Sequence, residues 1–182
     1  MALIYVTGIE AAGKTTVCKE LIDRGYEAYD IDQGMAHFYN IITGKQATVA
    51  SSAVKRTEAW YSQHVYRMDH TKVEHYRKKT KGKAVFLCGT TRSDYVVIDL
   101  FDEIVYLYLD EVTLIQRLRA RKPFEFGSAA HERAMILGWR KPTEEDYRDF
   151  GATMINATKP LVEVIDEVIE KTIPKLTTEV GI

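Results

Sequence analysis

Residues 8–16, GIEAAGKTT, decide how the rest of the chain is read. Gly8, four further residues, Gly13, Lys14 and Thr15 follow directly on the short apolar run 3–7 (LIYVT) and open the amphipathic stretch KTTVCKELIDRG. A strand, a glycine-bounded loop and a helix in that order form a cradle for a chain of phosphates. Gly8 lets the backbone turn sharply off the strand, and Gly13 lets N–H groups approach phosphate oxygens closely. A helix beginning near Lys14 adds the positive end of its dipole. Lys14 can bridge the β- and γ-phosphates, and the Thr15 hydroxyl can ligate magnesium. The spacing therefore predicts ATP and Mg2+ as cofactors, bound by Gly8, Ile9, Glu10, Ala11, Ala12, Gly13, Lys14, Thr15 and Thr16. The plainer alternative is an ordinary glycine-containing turn into a helix. One residue is out of character: Glu10 places a carboxylate inside an anion site, which is unfavourable without a compensating use.

Outward from this loop, short apolar runs alternate with amphipathic stretches. Val17, Cys18, Leu21 and Ile22 share a helical face, and Gly25 marks the C-terminal stop. YEAYDID (26–32) reads as a second strand. Residues from about 51 to 80 read as one long helix, with Tyr61, Val65 and Met68 at helical spacing. AVFLCG (84–89) and IVYLYL (104–109) are continuous apolar runs, as expected of parallel strands covered on both faces. EVTLIQRLRAR reads as a helix, ATMIN (152–156) as a last strand, and PLVEVIDEVIEK as a last helix with one apolar stripe. The pattern is α/β: one domain over 1–182, built as a three-layer, doubly wound parallel sheet of about five strands. Residues 122–151 join a helix to the last strand and mix charge with aromatics. They read as an ordered, helix-containing lid-like insert.

Composition bounds the partners. With 182 residues and a net charge of −1, the chain has length for a core and no electrostatic footprint for nucleic acid or an acidic membrane. The run YRKKTKGK (76–83) reads as a solvated helix end. The apolar start is too short for a membrane span and lacks the features of a secretory leader, and two cysteines are too few for a disulfide scaffold. A cytoplasmic location is the expectation. The five histidines lack zinc-ligand spacing. Oligomeric state is open, a homodimer among the options.

Further candidates cluster at expected strand ends, where doubly wound sheets bind ligands. Asp30 and Asp32, in YDID, suit a magnesium-linked carboxylate and an acceptor-side base; the alternative is Asp32 as the N-cap of a helix over DQGMAHF. Arg92, in CGTTRSD, suits an acceptor phosphate or developing charge, against the alternative of a surface salt bridge with Asp94. Arg117 and Arg121 lie four apart, so they share a helix face before the insert and suit charge neutralisation during transfer. Arg119 falls on the solvent side. Trp60 and Trp139 read as packing residues, with Trp60 or His64 as optional lining of an acceptor pocket.

The chain resembles the small P-loop kinases of the nucleoside and nucleotide kinase group. The acidic Glu10 and YLYLDEVTLIQRLRAR (106–121) resemble thymidylate kinases, Ala11–Lys14 resembles deoxynucleoside kinases, and the Asp30/Asp32 pair resembles shikimate-kinase-like enzymes. INATKPLVEVIDEVI (155–169) resembles the last strand, adenine-facing loop and final helix of thymidylate kinases. The resemblance implies a five-stranded parallel sheet, a lid that closes over ATP, adenine contacts from Thr158, Lys159 and Pro160, and an acceptor-facing Glu10. In the group an Asp-Arg pair ends the third strand; here Thr91 replaces the acid, which moves the base to Asp30 or Asp32. The expected function is magnesium-assisted transfer of the ATP γ-phosphoryl group to a nucleoside or nucleoside monophosphate. The alternatives are a polyol or shikimate-like acceptor, or a regulatory nucleotide-binding ATPase.

Overall fold

The computed structural model describes residues 2–49, 56–123 and 125–178, with side chains through 173. Strand β1 (Leu3–Gly8) runs down the middle of a five-stranded sheet of order β2-β5-β1-β6-β7, with β2 (Glu27–Asp30), β5 (Val85–Cys88), β6 (Glu103–Tyr108) and β7 (Thr153–Asn156). Every pairing in it is parallel. Because side chains alternate across a strand, an apolar run without polar interruptions feeds two cores. Ile4, Val6, Phe86, Cys88, Val105 and Leu107 pack on one face. Leu3, Tyr5, Val85, Leu87 and Tyr106 pack on the other. The first face is covered by α1 (Lys14–Asp23) and α6 (Leu161–Thr178), with Val17, Leu21, Ile165 and Val168 among its buried residues. Val73 of α3 (His70–Lys79) and Tyr147 of α5 (Ala130–Asp149) are buried against the second face. Helix α4 (Glu111–Arg119) precedes α5. Cys18 and Cys88 are free and buried. No helix among the described residues is long and apolar enough to cross a membrane.

The long helix expected over 51–80 is not what forms. Residues 51–55 lie outside the described residues, and the rest divides into α2 (Glu58–Gln63), β4 (His64–Met68) and α3. Strand β4 pairs antiparallel with β3 (Ala36–Asn40), in a register that sets Phe38 opposite Tyr66. Two local signals outweigh the apparent helical period. HVYRM is rich in β-formers, and Asp69 caps a new helix by accepting from the Thr71 amide at 2.9 Å. The helix considered over DQGMAHF is absent too, for Gly34 at φ 88° closes a turn that leads into β3. A two-stranded ribbon is marginal by itself. This one is held by rings: Phe38 lies 4.9 Å from Trp60 and 4.7 Å from Tyr66, and Trp60 stacks on His64 at 4.3 Å. Such pairs contribute about 0.5–1.5 kcal/mol each beyond area burial.

In the region expected as an insert, the described residues between α4 and α5 form a short connection, and a single helix, α5, follows to Asp149. Its Ile136 is fully buried in the main core.

Candidate active site: a phosphate cradle facing an aromatic wall

At the carboxyl end of β1 the sheet connections diverge, toward β2 on one side and, from β6, toward β7 on the other. A crevice at that place is where doubly wound sheets hold ligands. Gly8 is required there by contact: a Cβ on it would lie 2.3 Å from the Leu107 carbonyl oxygen. Ala11 (φ 63°) and Gly13 (φ 94°) take left-handed conformations that fold the loop back toward α1. Ile9 and Ala12 are buried and anchor it from below, with the Ala12 amide donating to the Ile9 carbonyl at 3.1 Å. Helix α1 starts at Lys14, and its first-turn amides have no intrahelical acceptors. That leaves a ready anion site at the helix end.

Lys14 folds over this cradle, its Nζ donating to the Gly8 and Ile9 carbonyls, each at 2.9 Å. Burial pushes its ammonium below the ordinary value, while Glu10 and Asp32 act in the opposite direction. Arg117 ties the loop to its neighbour, donating to the Ala11 carbonyl at 3.2 Å and the Ala157 carbonyl at 2.9 Å. It thus brings the 157–160 connection beside the phosphate loop. Within that connection Asn156 accepts from the Thr158 amide, Pro160 accepts from the Glu163 and Val164 amides, and Lys159 is drawn into an ion pair with Glu167. Arg121 donates to the Phe126 carbonyl and lines the cavity, whereas Arg119 is exposed on the far side.

The cavity itself has a volume of about 890 Å³. One wall is the cradle, with Glu10, Ala11, Gly13, Lys14, Thr15 and Thr16. The opposite wall comes from the ribbon and α2, through Phe38, Tyr61, His64 and Tyr66, and α5 closes it with Met135 and Trp139. Asp32 lies between the two walls and accepts from the Tyr66 hydroxyl at 2.6 Å. Burial, and then the Asp32 carboxylate, raise the Tyr66 pKa, so this phenol stays a neutral donor. Asp30 stands one step back from the lining, its Oδ1 accepting from the Asp32 amide at 3.0 Å. Arg92 reaches the cavity from the end of β5 with its guanidinium 3.6 Å from the Trp139 ring centre. No carboxylate among the described residues pairs with it. Asp94, weighed from sequence as its surface partner, is instead buried behind the cavity floor. There it accepts from Tyr5, Thr91 and Tyr147 hydroxyls, and burial raises its pKa against those donors.

The donor set suits magnesium, which takes oxygen ligands and is usually bound through one or two carboxylates plus substrate phosphates and water. Thr15 and Asp30 or Asp32 supply that, and no cluster of three or more acidic, His or Cys ligands occurs among the described residues. Sequence reading missed several residues of the site. Arg56 and Tyr61 both bond to Glu132, whose carboxylate is fully buried: Arg56 Nε donates at 3.0 Å and the Tyr61 hydroxyl at 3.1 Å. The other Glu132 oxygen accepts from the Gly127 amide at 2.9 Å. This hub joins the aromatic wall to the connection that carries Phe126 and leads into α5. An acidic residue in the first turn of α5 was the only local hint.

No family model and no curated protein sequence matches the chain. Solved structures do. Shikimate kinase from Acinetobacter baumannii in complex with shikimate superposes with TM-score 0.59 at 20% identity, over 100% of this chain and 96% of that one. The chain has the fold of the P-loop kinases. Deoxyadenosine kinase from M. mycoides, with products dCMP and a flexible dCDP bound, gives 0.55 at 17% identity over 93% and 97% of the two chains. A gluconokinase from Sinorhizobium meliloti 1021 gives 0.53 at 15% identity over 98% and 97%. A parallel five-stranded sheet with flanking helices is the fold that this chain has in common with these structures.

Proposed function

We propose that the protein is a cytoplasmic, ATP-dependent kinase that transfers the γ-phosphoryl group to a hydroxyl of a nucleoside or nucleoside monophosphate. The observation that carries the reading is that Lys14 and Asp32 open into the same cavity, with the aromatic wall opposite the cradle. Flat rings such as Phe38, Tyr61, Tyr66 and Trp139 suit a planar base better than a polyol or a shikimate-like ring. The aromatic wall beyond the cradle favours this reading over that of a nucleotide-only regulatory ATPase, which needs no such wall.

In this reading the acceptor hydroxyl lies beside Asp32, which accepts its proton as the oxygen attacks the γ-phosphorus. The bond from that phosphorus to the bridging oxygen breaks, ADP leaves, and Asp32 returns the proton to solvent. Tyr66 holds the Asp32 carboxylate in position. Lys14 and Arg121 face the oxygens on which charge spreads, and Arg117 supports the cradle from behind. Magnesium held by Thr15 and Asp30 would neutralise phosphate charge. Glu10 and Arg92 contact the acceptor side, while Thr158, Lys159 and Pro160 flank the base of ATP. Within 122–151 the lid role falls to the connection that carries Phe126 and to the head of α5, next to Arg121, because Ile136 and Tyr147 hold the rest of α5 in the cores.

Screening nucleosides, monophosphates, polyols and shikimate for acceptor-dependent ADP formation tests the reading. Asp32→Asn should lower kcat about 10²–10⁴-fold, the range typical for loss of a positioned base, with little change in ATP affinity. An unchanged kcat would remove Asp32 as the base. Arg121→Ala should slow turnover at saturating acceptor far more than Arg119→Ala; equal losses would contradict the assignment.

A further inference from the structure

Asp94 is buried behind the cavity floor, and the mechanism above makes no use of it. A buried carboxylate is costly unless donors surround it. Here the Tyr5 hydroxyl donates to Oδ2 at 3.0 Å, the Tyr147 hydroxyl donates to the same oxygen, and the Thr91 hydroxyl donates to Oδ1. The Thr91 amide adds a further donor. Burial, and then the Asp94 charge, raise the pKa of both phenols, so they keep their protons and donate. A proton on Asp94 would have to turn one of these donors away. Of these four residues, Thr91 alone lines the cavity. A hydroxyl has one proton and two lone pairs. With its proton committed to Asp94, Thr91 has only lone pairs left for a ligand. The segment that carries it is pinned to the aromatic wall: the Arg92 amide donates to the Tyr66 carbonyl at 3.0 Å, and the Tyr66 hydroxyl donates to Asp32 at 2.6 Å. Tyr66 therefore ties together two groups that line the cavity as acceptors, the Asp32 carboxylate and the Thr91 hydroxyl.

We propose that Thr91, oriented by Asp94, accepts a hydrogen bond from the phosphoryl acceptor, which therefore carries a second hydroxyl or amino group besides the hydroxyl that Asp32 deprotonates. This rests on the kinase reading above and narrows it: the acceptor is read at two donor groups, one reacting and one holding. Thr91 is the specificity-determining residue, and Asp94, which touches no ligand, is a positioning residue acting through it. A compound that places an ether or carbonyl oxygen at Thr91 sets lone pair against lone pair, and one that places a methylene there leaves the hydroxyl without a partner. A site built around a hydrogen bond rejects both.

The test couples changes in the ligand to changes in the full chain. The probes are several nucleosides and their monophosphates, a cyclic polyol and shikimate. Each is compared with forms lacking one donor at a time, a hydroxyl removed or an N–H methylated. Binding is measured by calorimetry with magnesium and a non-hydrolysable ATP analogue, separately from ADP formation, on the parent, Thr91→Ser and Thr91→Val. For one donor of a bound probe, its removal should weaken binding to the parent by about three- to tenfold, the size of one hydrogen bond. Thr91→Val should weaken the intact probe by a similar factor and leave the form lacking that donor unchanged, and Thr91→Ser should restore the parent pattern. A loss in Thr91→Val that is the same for every form of every probe overturns the proposal, because a purely structural role would give that result. So does Thr91→Ser behaving as Thr91→Val, and so does binding of none of the probes. Asp94→Asn, read in the same way, should also lose the coupling; full coupling there would overturn the role given to Asp94. Because binding is read apart from turnover, the expected coupling with no ADP formed would uphold the Thr91 site and remove the kinase reading instead.

Discussion

Lys14→Ala is expected to cut phosphoryl transfer by about 10²–10³-fold or more, the loss typical when a donor aimed at developing charge is removed. The chain should remain folded. Lys14 spans from the start of α1 to the Gly8 and Ile9 carbonyls, so its side chain holds only two loop contacts that water can replace. Hydrogen bonds of that kind contribute about 0.5–1.5 kcal/mol each. In the proposed mechanism the lysine's larger use is electrostatic, realised when phosphate oxygens draw Nζ off those carbonyls. The measurement pairs ADP formation in the presence of an accepted acceptor with thermal melting monitored by circular dichroism. A melting temperature within a few degrees of the parent, together with near-complete loss of turnover, is the expected pattern. Turnover within a few-fold of the parent would contradict the kinase reading.

The phosphate loop was legible because its logic is local: nine consecutive residues carry the turn, the cradle, the lysine and the hydroxyl. The sheet was legible for a related reason. A strand covered on both faces needs an apolar residue at each position, and residues 84–89 and 104–109 meet that need without reference to their partners. The ribbon was not legible. Phe38 and Tyr66 are cross-strand neighbours separated by α2 and a long connection, and the helical spacing of Tyr61, Val65 and Met68 hid the strand. The same limit applies to the aromatic wall of the cavity. Asp32 and Arg92 could be placed from strand ends alone, but the Tyr66 hydroxyl on one and the Trp139 ring under the other come from distant segments. Asp94 shows how proximity in sequence misleads. Next but one to Arg92, it was weighed as a surface partner; the chain instead turns it inward to Tyr5 and Tyr147.

The second large effect lies at Glu132. Its carboxylate is fully buried on α5 and bonded to Arg56, Tyr61 and the Gly127 amide. Glu132→Ala would leave the buried Arg56 guanidinium without its carboxylate, and breaking one side of such a pair typically costs about 3–5 kcal/mol. For a chain of this length that corresponds to roughly 6–20 °C in melting temperature. Replacing both partners by apolar groups, as in Arg56→Met/Glu132→Leu, should recover more than half of the loss, since no buried charge is then left alone. Acid should mimic the single substitution. Burial pushes the Glu132 carboxyl up, but the Arg56 and Gly127 hydrogen bonds and the Arg56 charge outweigh it, and its folded pKa is lowered. A lowered carboxyl pKa gives stability that is present above the unfolded value, about 4.3. That stability is lost as pH falls through the folded value, so the difference between the parent and Glu132→Gln should be full near neutrality and shrink as pH falls below the unfolded value toward the lowered folded one. Because Glu132 also joins the Tyr61 side of the acceptor wall to the connection leading from Arg121, Glu132→Gln should raise the acceptor KM more than the ATP KM. Melting of Glu132→Ala within about 1 kcal/mol of the parent, the ordinary size of a point-substitution effect, would show that the pair adds little to the fold. Equal changes in both KM values would separate Glu132 from the acceptor wall.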